Sequence, residues 1–125
     1  MGRKGKFGKF EFKIEDEPKS KFDEFLYGLS KDSKQEVAIR RCKCDDNSYI
    51  IGVTSGDTHS GEVDIPPGSC PITCETEIDH THPPSKTGHD YPNLSPNDLI
   101  VSFRERIRVC AISSGKKQCV IIKKK

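Results

Sequence analysis

The sequence predicts a single α/β domain, and three observations carry that reading. At 125 residues the chain is long enough for one compact core and too short for two. Two stretches place apolar residues at helical spacing. The segments between and after them alternate polar and apolar residues, as half-buried strands do. With apolar and charged residues at 32% each, the core must be lean and the surface heavily charged.

The opening, glycine-spaced from Gly2 to Gly8, reads as a flexible basic arm over residues 1–17. After Pro18, Phe22, Phe25, Leu26 and Leu29 fall at i, i+3, i+4 and i+7, the stripe of an amphipathic helix that fades near Ser30 and Lys31. In QEVAIRRCKC, Val37 and Ile39 alternate with Glu36, Ala38 and Arg40. Tyr49 to Val53 is a short apolar run, so Asp45-Asp46-Asn47 reads as a hairpin turn. A turn-rich stretch, TSGDTHSGEVDIPPGS, precedes CETEIDHTH, whose alternation puts Thr76, Ile78, His80 and His82 on one strand face.

Ser95-Pro96-Asn97-Asp98 has Ser at an N-cap, Pro at the first helical position and an acid three residues after the Ser, so a second helix starts there. Leu99, Phe103 and Ile107 form its expected buried stripe, with Arg104, Glu105 and Arg108 outward. The closing RVCAISSGKKQCVII reads as a hairpin turning at Ser114-Gly115. That turn sets Cys110 directly opposite Cys119, where either a disulfide or two adjacent thiols would fit. The domain proper spans 18–122, followed by a basic tail over 123–125.

Charge is uneven. Residues 1–13 carry +4 and residues 116–125 carry +5, so residues 14–115 hold −7 of the chain's net +2. Nucleic-acid readers gather basic side chains on the folded face, so basic ends favour solvated tails over nucleic-acid binding. No apolar run in the opening suits a signal peptide or a membrane span, and the expectation is a soluble, cytoplasmic protein without a membrane partner. In that compartment six cysteines suggest thiols or metal ligands. Two Gln, three Asn and one Met beside abundant Lys and Glu are also compatible with a heat-adapted source, where intracellular disulfides occur.

The chemistry concentrates in His80-Thr81-His82 and the helix that follows. Residues i and i+2 of a strand share a face roughly 6.6 Å apart, which lets two imidazoles converge on one ion. A pair of surface histidines is the plain alternative. Zinc accepts histidine nitrogen and carboxylate oxygen in a tetrahedron, and a catalytic site uses three protein ligands and leaves one position for water. Asp98 is the natural third ligand, and its capping role at the Ser95 helix is compatible with that.

These residues resemble the JAMM (JAB/MPN) zinc metalloprotease family, whose signature is a Glu on an early strand, then H-x-H, then S-x-x-D. Here that reads Glu36, His80-Thr81-His82 and Ser95-Pro96-Asn97-Asp98, with Pro83 directly after the second histidine. The resemblance covers roughly residues 18–122 in element order. It implies a small stand-alone domain with a single mixed β-sheet flanked by helices, a JAB/MPN-like (cytidine-deaminase-like) three-layer core. It implies zinc on His80, His82 and Asp98, with Glu36 carrying the proton and Ser95 donating to the oxyanion. The implied activity is hydrolysis of a peptide or isopeptide bond by a metal-activated water, with a protein or peptide substrate such as a ubiquitin-like conjugate. Twelve residues separate His82 from Ser95, more than the family's commonest spacing.

Glu62, Glu75 and Glu77 rival Glu36 for the proton, and Ser33-Lys34-Gln35-Glu36 could instead be a capping box. The competing functions are a catalytically silent binding module of the same fold and a zinc-stabilised nucleic-acid-binding protein with basic tails. A structural zinc site on Cys42, Cys44, Cys70 and Cys74 is a further reading. Zinc deaminases require H-x-E with P-C-x-x-C, which this sequence lacks.

Overall fold

A computed structural model describes residues 3–57, 64–82 and 93–124. Along them run β1 (Arg3–Phe7), β2 (Phe10–Glu17), α1 (Lys21–Ser33), β3 (Gln35–Lys43), β4 (Ser48–Asp57), β5 (Glu75–Thr81), α2 (Pro96–Glu105), β6 (Arg108–Ile112) and β7 (Lys117–Lys124). Among the described residues the strands form one seven-stranded sheet in the order β1-β2-β7-β6-β5-β3-β4. Neighbours are antiparallel except β5 and β6, which run parallel. A parallel pair cannot be closed by a tight turn, and the crossover that contains α2 makes the connection. The sheet is therefore mixed, as the resemblance implies, and the class α/β, as the element order predicts.

Opposed residues in a ladder share a face. Ala38 pairs with His80, His80 with Ala111, Ala111 with Gln118 and Gln118 with Asp16, so these five mark one face. On it Ile14, Ile78, Val109 and Val120 form a buried cluster against which Phe12, Leu99 and Val101 pack, which places α2 there. The opposite face carries Ile39 and Ile112 beneath Leu26 and Tyr27 of α1. One helix covers each face.

Helix α1 is fixed at both ends by local chemistry. Ser20 caps it reciprocally with Asp23, and Lys34 closes it in the left-handed conformation at φ 56°. Glu36 is thus a strand residue and belongs to no capping box. The expected stripe is rotated: Leu26 is buried, but Phe25 is 60% and Leu29 47% exposed, while Asp23, Tyr27 and Ser30 face the sheet. The reason is polar. Asp23 reaches Lys117 at 3.5 Å, and the Ser30 hydroxyl donates to the Gln35 carbonyl, so these ties set the helix's rotation.

The flexible arm expected over residues 1–17 is corrected to a β-hairpin. Phe10, Phe12 and Ile14 alternate onto one face and β2 pairs with β7 from Phe10↔Lys124 to Glu17↔Lys117, so burial of these side chains outweighs the glycine content. Gly8 makes the turn at φ 60°, and Gly5 leaves room for the Phe12 ring, whose tip a Cβ there would meet at 2.2 Å. The basic tail begins no earlier than Lys125, since β7 runs through Lys124. Lys4, Lys6 and Lys13 accordingly stand on folded strands, beside Glu11 and Glu15 around a shallow hollow.

The cysteines pair as Cys42–Cys70, Cys44–Cys74 and Cys110–Cys119. This overturns the four-cysteine zinc site, because each of its sulfurs is bonded to another sulfur and has no thiolate to offer. The Cys110↔Cys119 register follows from the Ser114-Gly115 turn. Helix α2 ends at Glu105, with Arg106 left-handed at φ 57°, so Ile107 and Arg108 are not helical. Arg108 opens β6 and pairs with Glu17 and Glu77. No helix of the described residues is long and apolar enough to cross a membrane.

Candidate metal centre

The strand β5 delivers His80 and then, one residue past its end, His82 to the α2 face. The N-terminus of α2 delivers Asp98. The two imidazoles meet at 2.8 Å between their Nε2 atoms, with ring centroids 4.6 Å apart. Asp98 Oδ1 lies 3.0 Å from Nε2 of His80, and Oδ2 lies 3.5 Å from Nε2 of His82. One ligand atom from each residue falls within 4.8 Å of the others.

Bonds of about 2.0–2.1 Å to a tetrahedral zinc set its ligand atoms about 3.3 Å apart. The two nitrogens stand 2.8 Å apart and Asp98 approaches them through different oxygens, Oδ1 at 3.0 Å and Oδ2 at 3.5 Å, so the donor set fits zinc in chemistry and lies near its spacing. The three side chains are 7, 12 and 13% exposed, which leaves the cluster reachable at the surface.

Asp98 has two jobs at once. Its carboxylate accepts the Ser95 N–H at 2.8 Å, while the Ser95 hydroxyl accepts the Asp98 N–H at 3.2 Å. Capping therefore orients the carboxylate toward the histidines. Burial would raise the Asp98 carboxyl, but hydrogen bonds from His80 and His82, the charge of His80 and the Ser95 N–H overcome it and hold the group well below the usual carboxylate range.

Glu36 joins the cluster from β3. Ala38 pairs with His80, so Glu36, two residues earlier, lies toward His82, two residues later, on the same face. Burial pushes its carboxyl above the ordinary range; His82 and then His80 pull it partly back, and Asp98 adds to the rise. Of its rivals, Glu77 points to the α1 face and is bound by Lys43 and Arg108, and Glu75 is exposed on that same face. Glu62 and the loop over 83–92 lie outside the described residues.

Two features escape a reading of the sequence. The first is a buried ionic cluster on the α1 face, where Lys117 Nζ lies 3.5 Å from carboxylate oxygens of Asp23, Glu77 and Asp79, and Arg41 reaches Asp79 at 3.3 Å. Burial and the adjacent Glu77 push Asp79 well up. Cys110 adjoins Glu77 and Asp79, but it is bridged to Cys119 and the carboxylates are matched by cations, so this group is no metal site. The sequence signal was the alternation of β5 itself, which puts Glu77, Asp79 and Thr81 on the face opposite the histidines. The second is the hydroxyl pair Ser30 and Thr81, both fully buried. Compared with protein-family models, curated proteins and solved structures, the chain matches none.

Proposed function

We propose that this protein is a zinc-dependent peptidase or isopeptidase working as JAMM-like enzymes do, on a peptide or isopeptide bond such as that of a ubiquitin-like conjugate. The observation that carries the reading is the convergence of His80, His82 and Asp98 with a half-buried Glu36 on the same face of the sheet. Three ligands and an adjacent acid are what metal-assisted hydrolysis needs.

When bound, zinc supplies a Lewis acid that brings a coordinated water from a pKa of about 9 to about 7. The chain's own residues do the rest. Glu36 takes the proton of the attacking water and later returns it to the leaving amine. A carboxyl whose proton affinity is raised by burial suits both transfers. Ser95 Oγ accepts from the Asp98 N–H, which leaves its own proton to donate to the developing oxyanion. Asp98 and the two imidazoles would hold the metal, and the capping box keeps Asp98 aimed.

The decisive experiment combines metal analysis with cleavage of lysine-linked and linear ubiquitin-like conjugates. Zinc-loaded protein that cleaves a conjugate, and loses that activity in Glu36→Gln while keeping the metal, supports the enzyme. Zinc-loaded protein that cleaves nothing in a broad panel favours a silent binding module of the same architecture.

A further inference from the structure

The antiparallel pairing of β3 with β5 reaches Ala38↔His80 and then changes character. The next N–H along β3, that of Val37, does not go to a carbonyl of β5. It donates to the side chain of Thr81, at 3.0 Å from Oγ1. Thr81 in turn donates to Ser30 Oγ at 2.7 Å, and Ser30 donates to the carbonyl of Gln35. Both hydroxyls are wholly buried.

The two backbone groups held by this relay are the ones that flank Glu36. The Gln35 carbonyl belongs to the peptide unit before it, and the Val37 N–H to the unit after it. The relay starts from Thr81, the residue between His80 and His82. Its side chain faces away from the imidazoles, as strand alternation requires. One hydroxyl thus reports the position of the histidine pair, the other belongs to α1, and together they grip the main chain on both sides of Glu36.

We infer that Thr81 and Ser30 are positioning residues: a hydroxyl brace that fixes the Glu36 backbone relative to the His80–His82 pair. The inference rests on the proposed chemistry for its functional meaning, because a proton carrier must be held within a fraction of an ångström of its partner. The brace itself is a matter of backbone order. A β-branched threonine holds its hydroxyl in a restricted rotamer, and a buried hydroxyl network that is fully satisfied stays rigid. Valine at position 81 would keep the shape and lose both bonds, stranding the Val37 N–H.

The test uses Thr81→Val, Thr81→Ser and Ser30→Ala in the full chain, with three readings: zinc per chain, kcat against KM, and hydrogen exchange at the Val37 amide. The brace predicts that Thr81→Val keeps its zinc and its KM, loses roughly 10-fold or more in kcat, and exchanges the Val37 amide faster than wild type. Thr81→Ser restores both, and Ser30→Ala, which removes the two bonds made by Ser30 and leaves the Val37 N–H on Thr81, falls between. Should Thr81→Val not fold, Ser30→Ala carries the same comparison. Unchanged Val37 exchange in the folded variants overturns the brace, as does a kcat loss that appears only with lost zinc. If wild type cleaves no conjugate, the peptidase reading fails by itself, and Val37 exchange at constant zinc still decides whether the brace exists.

Discussion

Asp98 Oδ1 stands 3.0 Å from Nε2 of His80 while the same carboxylate accepts the Ser95 N–H that starts α2. The proposed metal holding and the helix capping would share one side chain. Purified protein should carry about one zinc per chain, and both Asp98→Ala and His82→Ala should lose most of it, since three ligands leave little redundancy. Only Asp98→Ala should also cost about 1 kcal/mol in the metal-free protein, from the broken capping box. Metal analysis and chelated unfolding curves read the two effects separately. Stoichiometric zinc in both variants defeats the site.

Glu36→Gln should keep zinc and lower turnover by roughly 10²-fold or more, the scale of a lost general base. Equal turnover in that variant removes Glu36 from the mechanism.

The same substitution has a signature without metal. The folded pKa of Glu36 is raised, so the unfolded carboxyl ionises first, and wild type loses stability as pH rises above the ordinary glutamate value. Glutamine escapes that loss. Chelated Glu36→Gln should melt higher than wild type at about pH 7, and the gap should close near about pH 4. A gap that widens on acidification contradicts the burial of Glu36.

Much of this arrangement is legible in the chain because it is local. The S-P-N-D start of α2, the Ser114-Gly115 turn with its Cys110↔Cys119 register, and the shared face of Ile78, His80 and His82 each depend on a few neighbouring residues. What stayed hidden depends on distant partners. Phe10, Phe12 and Ile14 alternate plainly, yet besides the adjacent β1 it is the distant β7 that pairs β2 along its whole length, and the surrounding Lys and Gly disguise it. The rotation of α1 was set by Asp23 and Ser30, polar residues whose partners Lys117 and Thr81 lie far along the chain. Cysteine pairing is likewise a property of the tertiary fold.

Lys117 is the cation common to Asp23, Glu77 and Asp79, and its side chain is 8% exposed. Lys117→Met takes from buried Asp23 its cation and leaves Glu77 and Asp79 only their outer partners Lys43, Arg108 and Arg41, and it should destabilise the protein by about 3–5 kcal/mol. Denaturant unfolding measures it. A loss under about 1 kcal/mol, the scale of an exposed ion pair, means the cluster is hydrated.

Cys42–Cys70 and Cys44–Cys74 close loops of 28 and 30 residues. Chain entropy assigns each about 3.5 kcal/mol. Replacing Cys44 and Cys74 together by serine should cost close to that. Alkylation of unreduced protein should label none of the six cysteines, and full labelling of any pair rejects its bridge.

Strand β3 is clamped unequally along its length. Cys42 and Cys44 weld one end, whereas Glu36, six residues from Cys42 and so roughly 20 Å away, hangs from hydrogen bonds alone. The strand behaves as a cantilever whose tip carries Glu36. Changes at the welded end would alter heat tolerance and reach the tip only as slight bending. Changes near the tip would retune the placement of Glu36 and leave both bridges closed.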